Sequence, residues 1–109
     1  MRIWDIPTEK LCAQHLLGEH RELHAIWSIL IKNKKGYSKH PETLRWKGKL
    51  KALYLRHQQQ IKEMEKRGFM HNSPLEEKYA VGKYIQDEYV DSIEDQIKIL
   101  NKKDCKCKL

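Results

Sequence analysis

The sequence predicts an all-α fold: a compact single domain of three main helices, with an extended N-terminal arm packed along helix one. Three observations carry this. Five glycines and three prolines in 109 residues, with 34% of the chain charged, are a helix-rich composition. Apolar residues recur at helical spacing over long stretches that end at Gly or Pro. No pair of alternating apolar runs joined by a tight turn suggests a hairpin. A chain of 109 residues and 13.1 kDa makes one domain, residues 1–109, with a small core.

Met1 to Pro7 reads as an extended segment. Pro7 fits a helix start with Thr8 and Glu9 in the first turn, and helix one should then run to about Lys34 and stop at Gly36. The run Lys32-Asn33-Lys34-Lys35 suits the negative end of that helix better than it suits a phosphate-binding loop. After a loop holding His40 and Pro41, helix two should run from Glu42 or Thr43 to Arg67. Its apolar positions are Leu44, Leu50, Leu53, Tyr54, Ile61 and Met64, and Gly68 ends it. Ser73-Pro74 reads as N-cap and N1 of a short helix reaching Tyr79, with a break near Gly82. Helix three is expected over residues 86–101, with Val90, Ile93, Ile97 and Leu100 inward. Residues 102–109 read as a mobile tail.

The net charge is +7, from 22 Lys and Arg against 15 Asp and Glu. So basic a surface points to a polyanionic partner; the plainer alternative is a soluble helical protein rich in Lys and Glu. The start of helix two, with Arg45, Lys47, Lys49, Lys51 and Arg56, is one-sided in sign and strengthens the nucleic-acid reading. Three cysteines make no disulfide framework. Cys12 reads as a small buried apolar residue. Cys105 and Cys107 lack the two further ligands that a metal site needs, so no metal and no cofactor is expected. The start of the chain shows no signal peptide. The longest apolar run, residues 25–31, is too short to span a bilayer. The expectation is a reducing cytoplasm and no membrane.

The stretch LCAQHLLGEHREL, from Leu11 to Leu23, stands apart. Cys12, Leu16, Leu23, Ile26, Trp27 and Leu30 form an apolar stripe at about 100° per residue. Glu19 falls inside that stripe, and His15 and Glu22 lie on its edge, seven residues apart. An ionisable group on a buried stripe costs free energy unless it is paired. Glu19 is therefore read as structural, holding His15, the arm or helix three. His20 and His24 read as surface or edge positions.

Leu11, Gln14, His15, Leu16, Glu19, Arg21, Glu22 and Leu23 fall in the register L-x-x-Q-H-L-x-x-E-x-R-E-L. In this the chain resembles the pyrimidine-dimer DNA glycosylase family. Lys66-Arg67-Gly68-Phe69 and Gly82, Tyr84 and Ile85 extend the resemblance more weakly. The resemblance implies a glycosylase with abasic-site lyase activity whose nucleophile is the α-amine of the chain, followed by Arg-Ile. Here Arg2-Ile3 follows Met1, and Arg2 is too large for the initiator Met to be removed. The family's Pro-Arg after the Glu-Leu pair is replaced by His24-Ala25, and its aromatic tail by the basic NKKDCKCKL. Both departures bear on the lesion more than on the chemistry.

An unperturbed α-amine has a pKa of about 7.7–8.0, so roughly a tenth or more is neutral at pH 7, unlike a lysine near 10.4. Attack on the sugar C1′ expels the base and leaves an imine, which acidifies the C2′ proton and permits β-elimination. Under the resemblance the catalytic set is Met1, Glu22 and Arg21, with Glu22 the carboxylate. Arg2, Gln14, His15, His24, Arg45, Lys47 and Lys49 are the expected contacts to double-stranded damaged DNA. Trp4 or Trp46 is a candidate to stack on an extruded base, although each is more often core. The protein is expected to act as a monomer with no obligatory protein partner. One rival is a non-catalytic basic DNA-binding module. Another is a metal site of His15, Glu19, Glu22 and His20.

Overall fold

The computed structural model describes residues 2–36, 38–70, 74–103 and 105–109. Among these residues four α-helices follow the arm: α1 (Ala13–Lys32), α2 (Pro41–Leu44), α3 (Leu50–Lys66) and α4 (Ile93–Asn101), with 3-10 turns at Thr8–Lys10 and Glu77–Tyr79. Among the described residues there is no strand, only an isolated antiparallel bridge between Lys49 and Gly82. The fold is the expected all-α domain; the ends near Arg67 and at Asn101 fall where the sequence places them, whereas the other helix boundaries differ.

Helix one does not continue from Pro7. Leu11 and Cys12 are extended, so the chain makes a 3-10 turn, breaks, and restarts with Cys12 as N-cap. The break buries Leu11 at 1% exposure. The carbonyls of Thr8, Glu9 and Leu11 are instead collected by the Arg67 guanidinium, at 3.3, 3.4 and 2.7 Å. At its other end α1 stops at Asn33 rather than Gly36. Asn33 has φ +52°, a left-handed conformation that Asn tolerates.

The expected second helix is two helices. α2 ends at Leu44, and a turn closes through Gly48 at φ +76° before α3 begins. The first N–H groups of a helix lack internal partners. For α3 they are supplied by a distant strap, since Lys51 and Ala52 N–H donate to the carbonyls of Val81 and Lys83 at 2.9 and 3.1 Å. Gly82, between those two carbonyls, has φ +89°, and a Cβ there would lie 2.2 Å from the Gly48 carbonyl oxygen.

Helix three is shorter than expected. Ser92 caps α4 by accepting the Asp95 N–H at 3.1 Å, with Glu94 and Asp95 in the first turn, a favourable arrangement at a helix N-terminus. Leu100 is buried and Ile97 packs on the core, whereas Val90 and Ile93 face outward. The expected N-cap Ser73 lies outside the described residues.

Among the described residues the core has two clusters. Ile3, Leu23, Ile26, Trp27, Trp46, Ala52 and Leu53 form one; Trp4, Ile6, Leu11, Leu16, Met64 and Leu100 form the other. The arm contributes to both. All three tryptophans are buried core anchors, not stacking platforms on the surface.

An extended arm buried without a strand partner must satisfy its backbone groups in another way. Side chains do so here. Ile3 N–H donates to Glu42 at 3.2 Å and Ile3 C=O accepts from Arg45 at 2.9 Å. Trp4 N–H donates to Glu19 at 2.6 Å, and the Trp4 and Ile6 carbonyls both accept from Arg56, at 2.6 and 2.9 Å. Asp5 N–H donates to Gln96 at 2.8 Å. Helices α1, α2, α3 and α4 each send at least one side chain or cap residue to the arm.

The C-terminal segment is not a free tail. Lys108 N–H donates to Lys10 C=O at 2.7 Å, Cys12 N–H to Cys107 Sγ at 3.1 Å, and Cys107 packs on the second cluster.

Candidate active site

Residues 15, 19 and 22 lie on one face of α1, because four- and three-residue steps return to nearly the same side of a helix. Against this face the arm lays Arg2 and Trp4. The result is a cleft of about 440 Å³ whose lining includes Arg2, Trp4, Gln14, His15, Arg21 and Glu22. It gathers five of the residues expected at the site from two separate segments. Met1, the expected nucleophile, lies outside the described residues, and its neighbour Arg2 is at the cleft wall. The Arg2 guanidinium is 2.8 Å from Asp91 and lies over the Trp4 ring, 4.9 Å from its centroid. Gln14 and Arg21 are exposed; Glu22 is half-buried.

Glu19 forms the inner side of the cleft and is 2% exposed. Its Oε1 accepts from Trp4 N–H and from Arg56 Nη2 at 2.9 Å; its Oε2 accepts from Arg56 Nε at 3.0 Å and from the Gln60 amide. Glu19 thereby ties the arm to α1 and α3; the arm is an expected partner, whereas α3 takes the place of the expected His15 or helix three. Gln60 continues to His20, whose Nδ1 is 3.0 Å from its Oε1. His24 stands outside the cleft lining. Its Nε2 is 3.2 Å from that of the buried His57, and its ring meets that of His20 edge-on.

Two expected DNA contacts are placed differently from the sequence reading. Arg45 and Lys49 do not sit on a solvated basic face: their side chains are 4% and 5% exposed. Arg45 pairs with Glu42 and Asp5 at 2.6 and 3.0 Å. Burial works against its charge, but those carboxylates more than offset it and hold its pKa above the ordinary value. Lys49 Nζ reaches Gln86, Asp87 and Glu88 at 2.8, 3.1 and 3.2 Å. Arg56 is likewise an internal clamp. Of the three expected helix-two contacts only Lys47 is exposed. A run of like charge in sequence gives no sign of carboxylates that arrive from residues forty positions away.

His15 is placed differently from a simple phosphate contact. Its ring meets Trp4 edge-on at 5.9 Å, and its Nδ1 lies 3.1 Å from Cys12 Sγ and 3.4 Å from Cys107 Sγ. Cys12 is not a buried apolar residue but a half-buried helix cap. Burial alone would raise its pKa; hydrogen bonds with the His15 backbone and ring, with Cys107 and with the Lys106 backbone outweigh that and lower it to about 6. Cys107 is pushed up to about 12 by burial and by the neighbouring Cys12 and Cys105. A larger open hollow, about 960 Å³, adjoins Cys12 and Cys105 and is lined by Lys10, Lys66, Arg67, Lys106 and Lys108.

The metal set of His15, Glu19, Glu22 and His20 is not assembled, because Glu19 is committed to Arg56 and Gln60. Among the described residues two other groups converge: Cys12, His15, Cys105 and Cys107, and His20, His24 and His57. Among the same residues no helix is long and apolar enough to cross a membrane.

A family model described as pyrimidine dimer DNA glycosylase matches residues 1–77. Comparison with curated proteins and with solved structures gives no match in either case. The matched span contains the arm, α1, α2 and α3, and so every residue named above in the cleft lining. With this match over more than half its length, the chain belongs to the pyrimidine dimer DNA glycosylase family, whose substrate is DNA.

Proposed function

We propose that the protein excises cyclobutane pyrimidine dimers from duplex DNA and cleaves the resulting site, using its N-terminal α-amine as nucleophile and no cofactor in the chemical steps. One observation carries this reading. The arm's backbone is held by side chains from four helices, so that the chain enters the α1 cleft at Arg2, beside Arg21 and Glu22.

The neutral amine of Met1 attacks C1′; the N–C1′ bond forms as the bond from C1′ to the base breaks, and the base departs with the electron pair and takes up a proton. Loss of the amine proton and ring opening give the imine. Glu22, as carboxylate, stabilises the cationic sugar and then takes the C2′ proton. The electron pair released at C2′ forms a double bond to C3′ and expels the 3′-phosphate. Water hydrolyses the imine and frees the amine. Arg2 and Arg21 hold the phosphates flanking the extruded nucleotide. His24-Ala25 and the basic, anchored C-terminal segment favour a second reading of the lesion only: the same chemistry on another damaged base.

Borohydride trapping tests the proposal. Untagged protein is incubated with duplexes carrying a cyclobutane dimer or an abasic site, and borohydride is added. The expected result is a covalent complex on both duplexes, lost when the α-amine is blocked and reduced about 10²-fold or more in rate by Glu22→Gln. Trapping on the abasic duplex alone would support the second reading. Absence of trapping on both, with tight DNA binding retained, would contradict the chemistry.

A further inference from the structure

The tail cysteines and the first turn of α1 form a group that the glycosylase chemistry does not use. Cys12 is the N-cap of α1, and His15 lies in its first turn. Cys105 and Cys107 arrive from beyond α4, more than ninety residues later. One ligand atom from each lies within 4.8 Å of all the others, with His15 Nδ1 at 3.1 Å from Cys12 Sγ and 3.4 Å from Cys107 Sγ. A tetrahedral zinc site with three sulfurs and one nitrogen has donor–donor edges of about 3.6–3.8 Å, as follows from the usual Zn–S and Zn–N lengths. The four atoms are thus close to a zinc cage before any ion enters.

From this convergence we infer that Cys12, His15, Cys105 and Cys107 bind one Zn²⁺, which fastens the C-terminal segment to the start of α1.

The chemistry of the donors selects the ion. Three thiolates and an imidazole suit a borderline-soft, tetrahedral cation and leave no open position, the mark of a structural rather than a catalytic site. In the bound state all three cysteines are thiolates, and whatever thiol protons they still carry go to solvent, which leaves a net charge of −1 on the cluster. The N-terminal end of α1 favours that charge, as do Lys10, Lys106 and Lys108 along the adjoining hollow. The Cys12 N–H that points at Cys107 Sγ, at 3.1 Å, is the kind of backbone donor that steadies a metal-bound sulfur. A disulfide would use two of the three cysteines and leave the third and His15 unexplained. Ligation through Nδ1 keeps the His15 proton on Nε2, so His15 braces the wall of the cleft as a positioning residue.

Zinc content of untagged protein, purified under reductant from zinc-supplemented medium, tests this. One zinc per chain is expected. Cys105→Ser and Cys107→Ser should lose it, with circular dichroism showing that the helices persist, and His24→Ala should keep it. Because the serine variants can fail to fold, Co²⁺ is also added to wild-type protein stripped of metal. Intense visible bands of a tetrahedral ion, with near-ultraviolet charge transfer from three thiolates, are expected, together with a rise in Tm. Absence of zinc together with Co²⁺ spectra lacking thiolate bands would overturn the assignment. So would zinc that survives both serine substitutions and leaves with His24→Ala, since it would then belong to the histidine group. Neither outcome touches the trapping experiment, so this site and the glycosylase chemistry stand or fall separately.

Discussion

Glu19 is where the sequence looked wrong for a plain core helix, and its surroundings account for it. The carboxylate replaces its lost hydration with the Trp4 N–H, the Arg56 guanidinium and the Gln60 amide. Glu19→Gln leaves the Arg56 guanidinium, 11% exposed, without its counter-charge. Breaking one side of a buried ion pair costs about 3–5 kcal/mol, so the urea midpoint should fall by a corresponding amount and borohydride trapping should weaken with it. A substitution here that left stability unchanged would refute the clamp. Cys12 offers a second test at this scale. Only the thiolate reacts with an alkylating agent. Since hydrogen bonds with His15 and Cys107 outweigh burial and bring its pKa to about 6 from 9.0, alkylation of the reduced, metal-free protein should rise through about pH 6. Cys107, pushed up to about 12, should stay slow throughout the neutral range. A Cys12 inflection that stayed near 9 would contradict the Cys12–His15 contact.

Among the elements, α3 depends on a cap that comes from elsewhere in the chain. Val81 and Lys83 provide the carbonyls for its first N–H groups, and Gly82 lets the two backbones touch. Gly82→Ala would set a Cβ against the Gly48 carbonyl at 2.2 Å in a backbone with φ +89°. Both effects are unfavourable, and together they should cost about 2 kcal/mol or more, seen as a lowered Tm with the helical signal kept at low temperature. The long periodic stretches of α1 and α3 were legible because periodicity reports which face meets the core. So was the shared edge of His15 and Glu22, which one helix places by spacing, while Gln14 and Arg21 were legible as site residues through the family resemblance. The break at Leu11, the split between α2 and α3, and the late start of α4 were not legible. Each depends on a partner distant in sequence: Arg67 for the first and the 81–83 strap for the second, while residues 86–88 answer Lys49 and Arg45 instead of coiling. The same blindness turned Arg45, Lys49 and Arg56 into an apparent basic face. It also left Cys105 and Cys107 short of two ligands, because nothing local says that residues 12 and 15 lie beside them.

For the molecule as a whole, the net charge of +7 is a smaller reservoir of DNA contacts than it looks, since several cations are spent on the interior. Lys47 and Arg45 separate the two roles. Lys47→Ala should weaken duplex binding on any sequence and flatten the salt dependence by about 0.9 in log–log slope, the share of one phosphate, with stability unchanged. Arg45→Ala should lower stability sharply, because it leaves Glu42 and Asp5 with an unanswered charge. Fluorescence anisotropy across a salt series and denaturant titration read the two effects; identical behaviour of both variants would refute the distinction. Burying an arm through side-chain clamps from four helices makes sense if the position of the chain's first residues matters. The measurement that tests this most directly is to trap the protein on abasic DNA with borohydride, digest the complex, and locate the sugar adduct by mass spectrometry. The account predicts an adduct on the α-amine of the peptide that contains Met1. An adduct on a lysine side chain, with the N-terminal peptide unmodified, would contradict it.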